Sequence, residues 1–472
     1  ENLLSKNNSA GIQMYSSNDS SIVGNCLEEG SDEGIYVGNS RGGAIAMNTI
    51  VDYGKDAVTV SQSERMRIER NVVVNSVKKG MSVEKSDGNI FLENVITRCD
   101  AIGFHLKGGK HNVIRGNVVE DNAEGIYLVE ENMDNRLERN VVRGSVNGIA
   151  IIPEGKVTMK KAAAPAILVE NDVTCCKFGI QIHDIGCLID GNVVFNCLIG
   201  VGINNKENII KGNWVSTCIN HGIKVGRGEN RILNNEVVDI KRSDGREGAV
   251  FINSDENMIA GNTVRDNQVV GIMVRGSKGN VLENNRVLRN REGICFSKCE
   301  RSWSTRNVMI ENDYHGILVD ESKGIFLEGN ASGGDIAGGL GITVMDSARI
   351  NIKGCDFSNS RIGVKVNRIV ELTLMDSTVM DNASGISVSN GRLVTITGNC
   401  IAGSKNGLML ENLKRSTITG NYVVGASKTK WGVALVEMVN VSGIIKNNVE
   451  VEGEKAEPPL PKLTRRDWRK TT

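Results

Sequence analysis

The chain has 472 residues, with 56 basic and 56 acidic side chains, no formal net charge and 4% aromatic residues. That balance excludes a general nucleic-acid binder, which would show a basic excess. With no run of 18 apolar residues, the sequence also excludes a membrane-spanning helix.

The chain opens at Glu1, not at Met, and already inside a repeat, so residues are expected to precede it. From there a unit of about 22 residues recurs to the far end. A clear copy runs Asn208-Ile209-Ile210-Lys211-Gly212-Asn213-Trp214-Val215, then His221-Gly222-Ile223-Lys224-Val225. The Gly before each strand's first apolar residue serves as a ruler: Gly11, Gly34, Gly80, Gly103, Gly125 and so on to Gly432. This spacing predicts about 19 turns. Longer gaps after Gly148, Gly222, Gly316 and Gly407 predict inserted loops, the largest at Pro153 to Pro165 and a second at Lys241 to Glu247.

Each unit holds two or three short runs of period two, rich in Val and Ile and separated by Asn and Gly. That is strand patterning. A leucine-rich repeat would need fixed Leu positions and a helical segment, and neither is present. The prediction is an all-β, single-stranded parallel β-helix over residues 1–450. Its coils would stack at about 4.8 Å, each inward Ile over its equivalent. The ruler Gly is expected to permit the bend that starts each strand.

Asn recurs in one column, including Asn48, Asn71, Asn94, Asn117, Asn140, Asn171, Asn192, Asn213 and Asn235. Stacked Asn side chains form a ladder along the axis, and Asn also tolerates a left-handed bend. Five residues after the column come Cys99, Cys176, Cys197 and Cys218, where other coils place Asn or Ser. Cys packing as a small hydrophobe, an inter-coil disulfide and a soft-metal site all remain open. The repeat stops near Asn448. Residues 451–472 hold three prolines and a basic run, and read as a linker or strap.

Chemistry is sought on the outward positions of Gly-Ile-x-Val-x. Two neighbouring columns there carry Ser82 and Glu84, His105 and Lys107, Tyr127, Gln181 and His183, Asn204, and Lys224. Glu84 and Lys107 share a column in adjacent coils and are placed to pair. A base that removes a proton next to a sugar carboxylate, with a cation stabilising the developing charge, performs β-elimination or epimerisation. On that logic Glu84, His105, Lys107 and His183 are candidate catalytic residues. Tyr127, Gln181, Asn204, Lys224 and Trp303 are candidate substrate-binding residues. His221 and His315 directly precede a strand Gly and are expected at the surface. No metal ligands are assigned.

The strings Gly116-Asn117-Val118-Val119-Glu120-Asp121-Asn122 and Glu124-Gly125-Ile126-Tyr127-Leu128 resemble the right-handed parallel β-helix repeats of the pectate-lyase-like superfamily. More narrowly they are similar to NosD-type repeats, also called the carbohydrate-binding and sugar-hydrolase repeat. The resemblance covers about Asn7 to Asn448. It implies an exported, cell-surface or periplasmic protein with a polysaccharide partner, and calcium enters only through it. The paired aspartates and Gly-His-Gly of pectin hydrolases are absent, as is the Asp-Pro-His of alginate epimerases, so no family catalytic residue carries over. The expectation is a polysaccharide-binding β-helix, with uronate lyase or epimerase activity left open. The alternatives are a non-catalytic scaffold or adhesin and a NosD-like metal-handling accessory.

Overall fold

The computed structural model describes residues 2–130, 133–153, 165–241, 247–334, 339–425 and 436–452. The insertion after Pro153, most of the one after Lys241 and the tail beyond residue 452 lie outside the described residues. Among the described residues every regular element is a β-strand, and the chain winds as a parallel β-solenoid of about 18 turns, one fewer than the ruler predicts. It divides into two compact units, residues 1–273 and residues 274–472.

In the first unit a turn carries three short strands, as in Met81–Glu84, Ile90–Leu92 and Val95–Thr97. Pairing is parallel and lays like upon like: Val73 on Ile96, Ile96 on Val119, Val119 on Val142. On the longest strand of each turn Ile126, Ile149, Ile180, Val201 and Ile223 form one column, and every one is fully buried. Backbone groups thus find their partners one coil away, which lets a strand be buried without helices. In the second unit, from Leu340 on, two strands of a turn merge into continuous 14-residue strands in four successive turns: Leu340–Lys353, Ile362–Met375, Ser384–Thr397 and Asn406–Thr419.

The Asn column forms the expected ladder. Asn71, Asn94 and Asn117 each donate from Nδ2 to Oδ1 of the next Asn at 2.9–3.0 Å, and each backbone N–H donates to the same oxygen. The largest insertion leaves it intact: Asn140 still reaches Asn171, 31 residues on, at 2.9 Å. A second ladder, which the sequence reading missed, runs through Asn89, Asn112 and Asn135.

Two local expectations are corrected. The left-handed bend is taken not by the ladder Asn but by the residue before it, as at Arg70, Glu93 and Arg139, with φ of 51–52°. Nor do the ruler glycines of these coils serve a left-handed backbone. A Cβ on Gly179 would lie 2.5 Å from the Gly200 carbonyl oxygen and 2.5 Å from Val194 Cγ1. Gly is required there because the neighbouring coil approaches too closely for any side chain.

All eleven cysteines are free thiols. Cys176, Cys197 and Cys218 are buried and donate from Sγ to the carbonyl two residues back at 3.3–3.4 Å. Burial pushes the Cys176 and Cys218 thiols up to about 11. They behave as small core residues standing in for Asn.

Candidate functional site

The parallel register of the first unit settles which outward residues are neighbours. Ser82, His105, Tyr127, Ala150, Gln181, Gly202, Lys224 and Phe251 form one column, one residue per coil. The predicted site residues on this column divide into two groups.

The first group surrounds His105. Although on an outward strand position, this imidazole is only 6% exposed, because the Tyr127 ring stacks on one side. Its Nδ1 is buried without a hydrogen-bond partner. Burial first, then the Lys79 and Lys107 charges, hold its pKa down at about 4, so the ring is neutral at pH 7. Glu84 lies opposite Lys107 in the register. The ion pairs formed are different ones: Lys79 with Glu84 at 4.0 Å and Lys107 with Glu130 at 3.3 Å. Lys107, the cation expected to stabilise charge on a substrate, is therefore engaged with a carboxylate of the protein.

The second group lines a trough of about 330 Å³ across four coils. Its floor is Gln181, Gly202 and Lys224, consecutive on the column. One wall is Asn147, Phe178 and Ile199, also in register. The opposite wall is Ile152, His183 and Asn204. The depression exists because Gly202 lacks a side chain where the neighbouring coils carry Gln181 and Lys224. The Gln181 side chain lies across it: a Cβ on Gly202 would come within 2.5 Å of Gln181 Nε2. That amide nitrogen is buried and has no hydrogen-bond partner. An unpaired buried donor costs about 1–3 kcal/mol, which an incoming acceptor removes.

On the polar wall, Asn204 Nδ2 lies 3.1 Å from His183 Nε2. The amide donates and the ring nitrogen accepts, so the proton of the neutral imidazole sits on Nδ1. Burial lowers the His183 pKa, which favours the same neutral form. Lys224 is half-buried and has no ion-pair partner among the described residues. Among the described residues the trough thus offers one cation without an ion-pair partner, one unpaired amide donor, a neutral imidazole and an apolar wall.

The structure brings together Gln181, His183, Asn204 and Lys224 from the predicted set and leaves Glu84, His105, Lys107 and Tyr127 outside the trough. Trp303 belongs to the second unit, 40% exposed, with its ring stacked on Phe326 at 5.6 Å between centroids and 11° between planes. Sequence reasoning missed Phe178, Ile199 and Gly202. The available signal was Gly200-Val201-Gly202, where a Gly occupies an outward strand position. It also misplaced His221, which is 2% exposed rather than at the surface. His221 stacks on Phe251, with Nδ1 2.9 Å from the Gly248 carbonyl and Nε2 2.6 Å from Glu247 Oε2. His315 is partly buried, its Nδ1 unpartnered, and burial lowers its pKa.

The fold is a right-handed parallel β-helix, and the trough an open, partly apolar depression on its face. Residues 1–94, 34–162 and 293–451 match the family described as right handed beta helix region, and the chain belongs to it. Residues 107–242 and 234–334 match the family described as periplasmic copper-binding protein (NosD). No curated protein matches the chain. Among solved structures it is similar to the A-module of the mannuronan C-5 epimerase AlgE6 of Azotobacter vinelandii, at 15% identity over 62% of this chain and 91% of that one, TM-score 0.46. It is also similar to the periplasmic alginate epimerase AlgG, at 12% identity over 85% and 77%, TM-score 0.29. The Dettilon tailspike protein aligns at 15% identity over 66% and 62%, TM-score 0.34.

Proposed function

We propose that the protein is an exported β-helix that binds a uronate-containing polysaccharide in the trough between Asn147 and Lys224. The observation that carries this reading is Lys224, without an ion-pair partner among the described residues, at the end of a depression whose floor holds the unpaired Gln181 amide. A sugar carboxylate meets Lys224. A sugar oxygen accepts from Gln181 Nε2, and the C–H face of the ring packs on Phe178 and Ile199. The coil spacing of about 4.8 Å is close to the length of one sugar residue, so a chain lying along the column presents successive residues to successive coils.

Titration of the protein with oligogalacturonates and oligomannuronates tests the reading. Binding is expected to weaken about 10-fold in Lys224→Gln, the loss of one charge-assisted hydrogen bond of about 1.5 kcal/mol. Equal affinity for uncharged oligosaccharides, or no effect of Lys224→Gln, overturns it. A lyase or epimerase reading is favoured by one observation, the neutral imidazole of His183 at the trough wall, since a base must be unprotonated to take the C5 proton. Release of unsaturated product, or exchange of deuterium into C5, that disappears in His183→Ala would establish it.

A further inference from the structure

The second unit carries a cationic edge, without neutralising carboxylates among the described residues, beside a row of hydroxyls. On the 14-residue strands Ile362–Met375, Ser384–Thr397 and Asn406–Thr419, Thr373, Thr395 and Thr417 stand in one outward column, each half-buried. Two residues further along the strand Thr397 faces Thr419. None of these hydroxyls has a protein partner among the described residues. The column therefore presents methyl and hydroxyl groups at every coil step, about 4.8 Å apart.

In the column just before the threonines, where Arg349, Glu371, Leu393 and Arg415 take a left-handed backbone, the charges change along the axis. Arg349 is neutralised by Glu371 at 3.1 Å. The next two coils replace that acid with Leu393 and Arg415. Arg392 lies directly opposite Lys414 in the parallel register. Arg392, Lys414 and Arg415 are exposed and have no ion-pair partner among the described residues. Like charges set opposite one another in a sheet are destabilising. Nothing in the fold requires the arrangement, since Val370 fills the Arg392 position one coil earlier. Leu393, 46% exposed, adds apolar surface between the cations.

We propose that Arg392, Lys414 and Arg415, with Thr395 and Thr417, form a second binding surface, for an anionic polysaccharide. The cations meet sulfate or carboxylate groups, the threonine hydroxyls bond sugar oxygens, and Leu393 contacts a ring face. A single-stranded nucleic acid is the less fitting polyanion, because among the described residues the surface has no aromatic side chain on which bases stack. The surface shares no residue with the trough.

The test uses the full chain carrying Lys224→Gln, so that the trough contributes no cation. Dextran sulfate and polygalacturonate are the sulfated and carboxylated probes, with neutral dextran and polyglutamate as controls. Binding of at least one acidic glycan is expected, tighter than polyglutamate and falling steeply between low and high salt. Arg392→Gln with Lys414→Gln is expected to weaken it at least 10-fold, and Thr395→Val with Thr417→Val about threefold, at unchanged melting temperature. Which probe wins identifies the anionic group. Binding of polyglutamate as tightly as the glycans, or Thr variants that bind like the parent, overturns the site in favour of diffuse charge attraction. Failure of both glycans overturns it outright. None of these outcomes depends on the trough, whose own failure would show as Lys224→Gln changing nothing in the otherwise unaltered protein.

Discussion

Two stretches of one outward column, Ser82 to Tyr127 and Ala150 to Lys224, look alike in sequence and differ in what they offer a ligand. In the first, the side chains cover one another: Tyr127 lies on His105, and Lys79, Glu84, Lys107 and Glu130 pair off. In the second, one missing side chain at Gly202 opens a trough and leaves Lys224 without a counter-ion among the described residues. Polar density on a solenoid face is therefore a poor guide to a site. A gap in the column next to unpaired polar groups is a better one.

The largest effect expected tests the frame both stretches share. Asn117→Ala removes the acceptor of the Asn94 backbone N–H and of its side-chain amide, and the donor to Asn140 Oδ1 and the Phe91 carbonyl. A loss of about 3 kcal/mol in unfolding free energy is expected by denaturant titration. A loss within error of an exposed substitution would show that the ladder does not hold the coils.

The contrast itself breaks at Gly202. Gly202→Phe fills the trough and is expected to lower acidic-oligosaccharide affinity at least 10-fold by calorimetry, while Tyr127→Phe leaves it unchanged. If the two variants bind alike, the trough is not where the sugar sits. The smallest effect concerns His105. Its pKa lies near 4 when folded against an ordinary value of 6.5, so the unfolded chain binds the extra proton first. The stabilisation from the neutral ring is complete above about pH 6.5 and is lost as the pH falls toward 4. The melting temperature is expected to drop over that window, and less so in His105→Gln. Identical pH profiles would mean the imidazole is protonated in the fold.

The winding was legible because one inward pattern, such as Gly-Ile-x-Val, recurs on every coil and its register follows from spacing alone. Gln181, His183, Asn204 and Lys224 were legible for the same reason. What spacing does not carry is how outward side chains cover one another. His221 is buried by Phe251 and Glu247, 30 and 26 positions along the chain, through rotamers and ring stacking that no local pattern encodes. The reason for the ruler glycines was likewise hidden, since their constraint is the carbonyl of the next coil rather than their own backbone.

The rung between Asn140 and Asn171 spans 31 residues, yet it matches the length of those that span 23. The geometry of a rung is thus independent of how many residues the chain spends between its two Asn residues. A stack whose rungs ignore turn length can take a different peptide between Asn140 and Asn171, and Ile152, in the trough wall, marks that turn as the natural place for descendants of this protein, or for engineers, to change the surface it presents.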